Sequence, residues 1–140
     1  MLSILIPTYN YNVYPLVQDL YAMAVQENIP FEILVMDDGS TDTPSLDENK
    51  KINSLANSHF MQQSHNVGLA ENRNSLARNA QYENLLFIDG DSLIITPDYL
   101  KNYIDNLTGN DIVYGGRRHP ETMTQNERKL RWKYGKYIED

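Results

Sequence analysis

Two carboxylates close the most apolar strand-like run of the chain. In "LLFIDGDSLI", residues 85–94, Leu85 to Ile88 lead directly into Asp89-Gly90-Asp91. In an extended chain residues i and i+2 project to the same side, roughly 6–7 Å apart. Like charges so placed repel, and a cation held between them relieves the repulsion. A hard cation such as Mg²⁺ or Mn²⁺ suits the pair, because such sites use one or two carboxylates and complete the shell with water and substrate phosphates. Gly90 between them lets the backbone turn with no side chain in the way. Asp-Gly-Asp also suits a surface turn of two solvated acids, so the spacing alone leaves both readings open.

Other polar residues stand at comparable places. "SILIPT" (3–8) reads as a strand and is followed by Tyr9 and Asn10. "FEILVMDD" (31–38) reads as a second and runs into Gly39-Ser40. "HFMQQS" (59–64), "NLLFID" (84–89) and "DIVYGG" (111–116) read as a third, fourth and fifth. Helical segments alternate with them. Leu16, Leu20 and Ala24 recur at i, i+4 and i+8 after Pro15, a residue that suits a helix start. "TPSLDENKKINSLA" (43–56) has Thr43 as its expected N-cap, with Pro44 next. "GLAENRNSLARNA" (68–80) and "TPDYLKNYIDNLTG" (96–109) complete the alternation, and Thr124 with Glu127 predicts a capping box on a last helix.

This β-α-β-α order predicts an α/β fold, a three-layer α/β/α sandwich with a mostly parallel central sheet. "ILVM" and "LLFI" are apolar on both faces, as a doubly covered sheet requires. Ligands of such sheets bind beyond the carboxyl ends of the strands, which is where the acids and turn formers collect.

Four segments, "SILIPTYN", "EILVMDDGSTD", "NVGLAENRN" and "LLFIDGDS", occur in this order. Together they resemble the family 2 glycosyltransferases, which have the GT-A (Rossmann-like) nucleotide-sugar fold, over residues 2–116. The resemblance implies a metal-dependent transfer of a sugar from a nucleoside-diphosphate sugar, a UDP-sugar favoured, to a hydroxyl acceptor. It further implies inversion at the sugar and a place in polysaccharide or glycoconjugate synthesis. Pro7, Thr8 and Tyr9 then match the loop against the nucleobase, and Asp37 and Asp38 the contacts to base and ribose. Arg73 matches the Arg of the family's Asn-x-Gly-x-x-x-x-Arg-Asn pattern, a contact to base or phosphate. Asp89 and Asp91 match the family's D-x-D, the ligands of Mg²⁺ or Mn²⁺, with Asp89 also counted among the nucleotide-sugar contacts. Acceptors in this family are often lipid-linked, which allows peripheral association with a membrane.

Residues 1–116 are thus expected to form the donor-binding core and residues 117–140 a basic C-terminal helix. Seven of the 12 Lys and Arg lie in that tail: Arg117, Arg118, Arg128, Lys129, Arg131, Lys133 and Lys136. The carboxylate that such enzymes use as general base lies beyond an acceptor-binding region in the family. The only acidic pair in a comparable place here is Glu139-Asp140, with Asp140 the candidate base. The expectation is a donor-binding half that leads toward an acceptor-binding half, and that binds donor without transferring sugar.

Composition bounds the rest. A chain of 140 residues, 41% apolar and 22% charged, is the size and make-up of one globular domain. Its net charge of −7 argues against nucleic-acid binding. The absence of cysteine rules out disulfides and thiolate metal sites and fits a cytoplasmic location. No apolar run approaches the roughly 18 residues of a transmembrane segment. His59, His65 and His119 lack metal-ligand spacing. Rival readings remain: a nucleotide-sugar-binding or interaction module without catalysis, or a D-x-D phosphatase-like hydrolase. The hydrolase would want its motif on an early strand, whereas Asp89 follows the fourth.

Overall fold

The computed structural model describes residues 1–116, 118 and 129–138. Two compact units are distinguished, Met1–Ile104 and Asp105–Asp140. The first holds the sheet. Strands β1 (Leu2–Thr8), β2 (Phe31–Asp37), β3 (Ser58–Gln62) and β4 (Leu85–Phe87) run parallel in the order β3-β2-β1-β4. All seven residues of β1 and of β2 are buried. A central parallel strand, covered on both faces, needs that continuous apolar character.

Alternation along the strands feeds two cores. Leu2, Ile4 and Ile6 of β1 join Ile33 and Val35 of β2 on one face. There they meet α1 (Tyr14–Glu27), which presents Leu16, Val17, Leu20 and Ala24, as well as Ile52 and Leu100. Leu5, Leu34 and Met36 point to the other face and meet Leu76 of α3 (Leu69–Asn79). Each fully buried side chain of this kind contributes about 1.5–3 kcal/mol. The helix placement follows from handedness. The chain leaves β1 for β2 and β3 in one direction, then crosses back past β2 and β1 to β4. Right-handed crossovers in opposite directions must lie on opposite faces, so α3 covers the face that α1 leaves open.

Local chemistry explains the remaining elements. The second helix, α2 (Thr43–Asn49), is capped by Asp42, whose carboxylate accepts from the Ser45 N–H at 3.1 Å. Thr43, the expected cap, lies one residue inside the helix. The helical pattern of 43–56 tightens into a 3₁₀ turn over Lys50–Ser54. Helix α4 spans Tyr99–Asp105, shorter than the 96–109 pattern. The expected fifth strand is not formed: residues 111–116 carry no ladder, and Ile112 and Tyr114 are 88% and 89% exposed. An alternating segment becomes a strand only when a neighbouring strand completes its hydrogen bonds and covers one face. Strand β4 also departs from expectation. Leu86 and Ile88 are buried, but Leu85 and Phe87 on the opposite face are half exposed. In the second unit α5 spans Lys129–Ile138. The expected Thr124–Glu127 capping box lies outside the described residues.

Candidate functional site

Strand order places a topological switch point between β1 and β4, because the chain winds away from β1 on one side and returns on the other. The carboxyl ends of parallel strands diverge there and leave a crevice. A cleft of about 270 Å³ opens at this end, lined by Pro7, Thr8, Tyr9, Asp38, Asn66, Gly68, Leu69 and Asn72. The ends of β1 and β2 thus supply one wall and the start of α3 the other.

The loop after β1 is held from three directions. Asn10 has a left-handed backbone, φ +48°, which asparagine tolerates better than most residues. Its N–H donates to the Ser40 hydroxyl at 2.6 Å. Its Oδ1 accepts from the Thr41 and Asp42 N–H groups at 2.9 and 3.1 Å. Buried Asn49 accepts from the Val13 N–H at 2.8 Å and donates to the Tyr11 carbonyl at 2.9 Å. The Thr8 hydroxyl donates to that same carbonyl at 3.2 Å. With its backbone pinned, the loop leaves the Tyr9 ring half exposed on the cleft.

The two adjacent acids at the end of β2 do different work. Asp37 is 1% exposed and does not line the cleft. One of its oxygens accepts from the Ser40 N–H at 2.8 Å and the other from the Ser40 hydroxyl. It braces the turn. Asp38 does line the cleft. Its oxygens accept from the Val67 N–H at 2.8 Å and the Gly68 N–H at 3.1 Å, so it fastens the entry to α3. The positive end of that helix favours a carboxylate there. Gly39 fits between: its φ is +72°, and a Cβ would stand 2.5 Å from the His65 carbonyl carbon.

Arg73 and Asp89 meet across the crevice. The Arg73 Nη2 donates to Oδ1 of Asp89, and the guanidinium carbon lies 5.9 Å from the centre of the Phe87 ring. The half-exposed face of β4 is therefore the platform that Arg73 crosses. Asp89 is half exposed and Asp91 exposed. Gly90 packs back against β1, where a Cβ would approach Val13 Cγ1 to 2.8 Å and the Pro7 carbonyl oxygen to 3.1 Å. Among the described residues, no group of three or more His, Cys, Asp or Glu could hold a metal alone. The oxygen donors of Asp89 and Asp91 suit a hard cation whose shell is completed by a ligand's phosphates.

Pro7, Thr8, Tyr9 and Asp38 thus come together on the cleft, Arg73 joins Asp89, and Asp37 lies behind the wall. Asp140 and Glu139 lie outside the described residues. Sequence reading missed Asn49, Ser40 and Asn72 as site-forming residues. Asn49 and Asn72 sit in helices with nothing in the local pattern to mark them. Asn72 is 1% exposed, its Nδ2 donates to the Met36 carbonyl at 2.9 Å, and its Oδ1 has no partner.

Comparison with known proteins identifies the family. The family model described as Glycosyl transferase family 2 matches residues 3–140. Among solved structures, S. aureus TarS 1-349 in complex with UDP-GlcNAc is 31% identical with a TM-score of 0.58. The match covers 74% of this chain and 30% of that one. The mannosyltransferase PcManGT from Pyrobaculum calidifontis, in complex with GDP-Man and Mn²⁺, is 27% identical with a TM-score of 0.58, over 76% of this chain and 32% of that one. The chain therefore spans under a third of the length of these structures. No curated relative matches it.

Proposed function

The chain belongs to glycosyl transferase family 2, and from that premise we propose that it forms the donor site of a metal-dependent enzyme. The enzyme transfers a sugar, with inversion, from a nucleoside-diphosphate sugar to a hydroxyl acceptor in polysaccharide or glycoconjugate synthesis. Residues 1–116 make up the donor-binding core in this reading, and a UDP-sugar is the favoured donor. The acceptor is lipid-linked in the version that brings the protein to a membrane surface. Among the described residues no helix is long and apolar enough to cross one.

The observation that carries the reading is the cleft at the carboxyl ends of β1 and β2, with Asp38 on its wall and the Arg73–Asp89 pair nearby. Pro7 and Tyr9 give the nucleobase an apolar and aromatic surface. Asp38 offers acceptor oxygens to the base or ribose. Asp37 contributes indirectly, by holding the Gly39-Ser40 turn. Arg73 supplies a cation for the diphosphate, and Asp89 with Asp91 hold the divalent ion. When bound, that ion acts as a Lewis acid that offsets charge gathering on the departing nucleoside diphosphate.

Thermal unfolding with nucleoside diphosphates, with and without Mn²⁺, tests this. Ligand at about 100 times its dissociation constant stabilises the fold by roughly 2.7 kcal/mol. The Asp89→Asn/Asp91→Asn double variant should lose the Mn²⁺-dependent part of the shift. An unchanged Mn²⁺-dependent shift in that variant would place the ion elsewhere.

A further inference from the structure

Among the described residues, two buried side-chain polar atoms lack a hydrogen-bond partner: Oδ1 of Asn72 and Nε of Arg73. Asn72 lines the cleft. The bond from its Nδ2 to the Met36 carbonyl fixes the amide, so that Oδ1 is the free end. Asp38, Asn66 and Thr8 on the same cleft each already have a partner, and Asp38 keeps further acceptor capacity for the donor. Both oxygens of Asp38 accept main-chain N–H groups, Asn66 Oδ1 accepts from the Gly68 N–H, and the Thr8 hydroxyl donates to Tyr11. A buried acceptor with no partner is uncommon in a folded protein and marks a place where a donor belongs.

We infer that Asn72 is a specificity-determining residue of the donor site, with Oδ1 accepting a ring N–H of the nucleobase. This rests on the donor-site reading above and adds which bases it takes. Uracil at N3 and guanine at N1 carry a ring N–H. Cytosine N3 and adenine N1 carry a lone pair in the corresponding place. A lone pair facing Oδ1 leaves that oxygen unpaired, and sites built around a buried polar group reject ligands that cannot pair with it. Asn72 thus selects uridine and guanosine donors over cytidine and adenosine donors. Asn72 lies in the first turn of α3, four residues after Gly68, whose carbonyl accepts its N–H at 3.0 Å.

Titration calorimetry of UDP, GDP, CDP and ADP in the presence of Mn²⁺ is the test, with inorganic diphosphate as the base-free control. The wild-type chain should bind UDP or GDP at least about tenfold more tightly than CDP or ADP. Asn72→Ala should bring the four within about threefold of one another, with the affinity for inorganic diphosphate unchanged. Because that variant also loses the bond to Met36, circular dichroism checks its fold. A measurement on the wild type needs no variant: 3-methyluridine 5′-diphosphate, which lacks the N–H, should bind at least about tenfold more weakly than UDP. Equal binding of all four nucleotides, undiminished binding of the methylated one, or discrimination that survives in a folded Asn72→Ala protein would overturn the inference alone. Failure of the wild type to bind any nucleotide would overturn the donor site itself.

Discussion

Arg73, on the first half of α3, donates from Nη2 to Oδ1 of Asp89, sixteen residues further along the chain and just past the end of β4. The two side chains are 38% and 41% exposed, so solvent screens the pair and its net contribution to stability is under about 1 kcal/mol. Its larger effect is on charge. A guanidinium already beside Asp89 opposes the entry of a divalent cation, because both compete for the same carboxylate. Arg73→Ala should leave the unfolding midpoint nearly unchanged and raise the affinity for Mn²⁺ without nucleotide several-fold, as read by paramagnetic resonance titration. Equal or weaker Mn²⁺ binding in the variant would show that the pair does not compete with the ion.

Asp37 and Asp38 are adjacent in sequence and separable by mutation. Asp37 is buried with both oxygens on Ser40, and the Ser40 hydroxyl in turn accepts from Asn10. Asp37→Ala should cost on the order of 2–4 kcal/mol, since it strands buried donors as well as removing the charged acceptor. It should weaken nucleotide and inorganic diphosphate alike, by loosening the loop that carries Tyr9. Asp38→Ala should weaken nucleotide more than inorganic diphosphate. Denaturant unfolding and calorimetry on the two variants decide it. A stable Asp37→Ala protein that loses only nucleotide would put Asp37 at the base after all.

That division marks where sequence reading stops. β1, β2 and α1 were legible because burial on both faces of a sheet, or one face of a helix, writes a regular apolar pattern. The resemblance pointed to the rim, and Pro7, Thr8, Tyr9 and Asp38 do line one cleft. Which of two neighbouring acids faces it was not legible. That depends on the turn at Gly39, a tertiary contact with His65 and Asn66. The same holds for Glu32, a buried carboxylate inside an otherwise apolar strand. It accepts from the Ser3 hydroxyl at 2.5 Å and the Gln81 N–H at 2.7 Å. Its partners lie 29 and 49 residues away, beyond any local pattern. The segment 111–116 shows the converse, a strand-like pattern that forms no ladder.

Gly39 joins two constraints at one residue. Its φ of +72° is costly for any residue with a side chain, at about 1–2 kcal/mol. A Cβ there would also meet backbone, 2.5 Å from the His65 carbonyl carbon and 2.6 Å from the Asn66 nitrogen. Backbone cannot swing aside as a flexible side chain can. Gly39→Ala should therefore destabilise by more than the conformational term alone, upward of about 2 kcal/mol, and should displace Asn66 from the cleft. Gly90→Ala meets a side-chain methyl of Val13, and trimming that methyl with Val13→Ala should recover part of its loss. A Gly39→Ala protein as stable as the parent in urea unfolding would mean the turn is free to move.

Tyr99 gives the fold a dependence on alkaline pH. Burial pushes its hydroxyl well above the ordinary phenol range, and the charge on Tyr103 and a hydrogen bond between the two side chains push the same way. The rings meet edge to face, 5.2 Å between centres at 64°. The fold thus favours the neutral form more than the unfolded chain does, and the unfolded tyrosine ionises near pH 10. The corresponding stability is fully present below about pH 10 and is lost as the pH rises from there toward the folded value. The slope cannot exceed about 1.4 kcal/mol per pH unit, because one group accounts for at most one proton. Urea midpoints measured between about pH 9 and 11.5 should fall more steeply for the parent than for Tyr99→Phe, with the two proteins differing least in slope below pH 9. Parallel profiles across the whole range would show that Tyr99 does not set the alkaline limit.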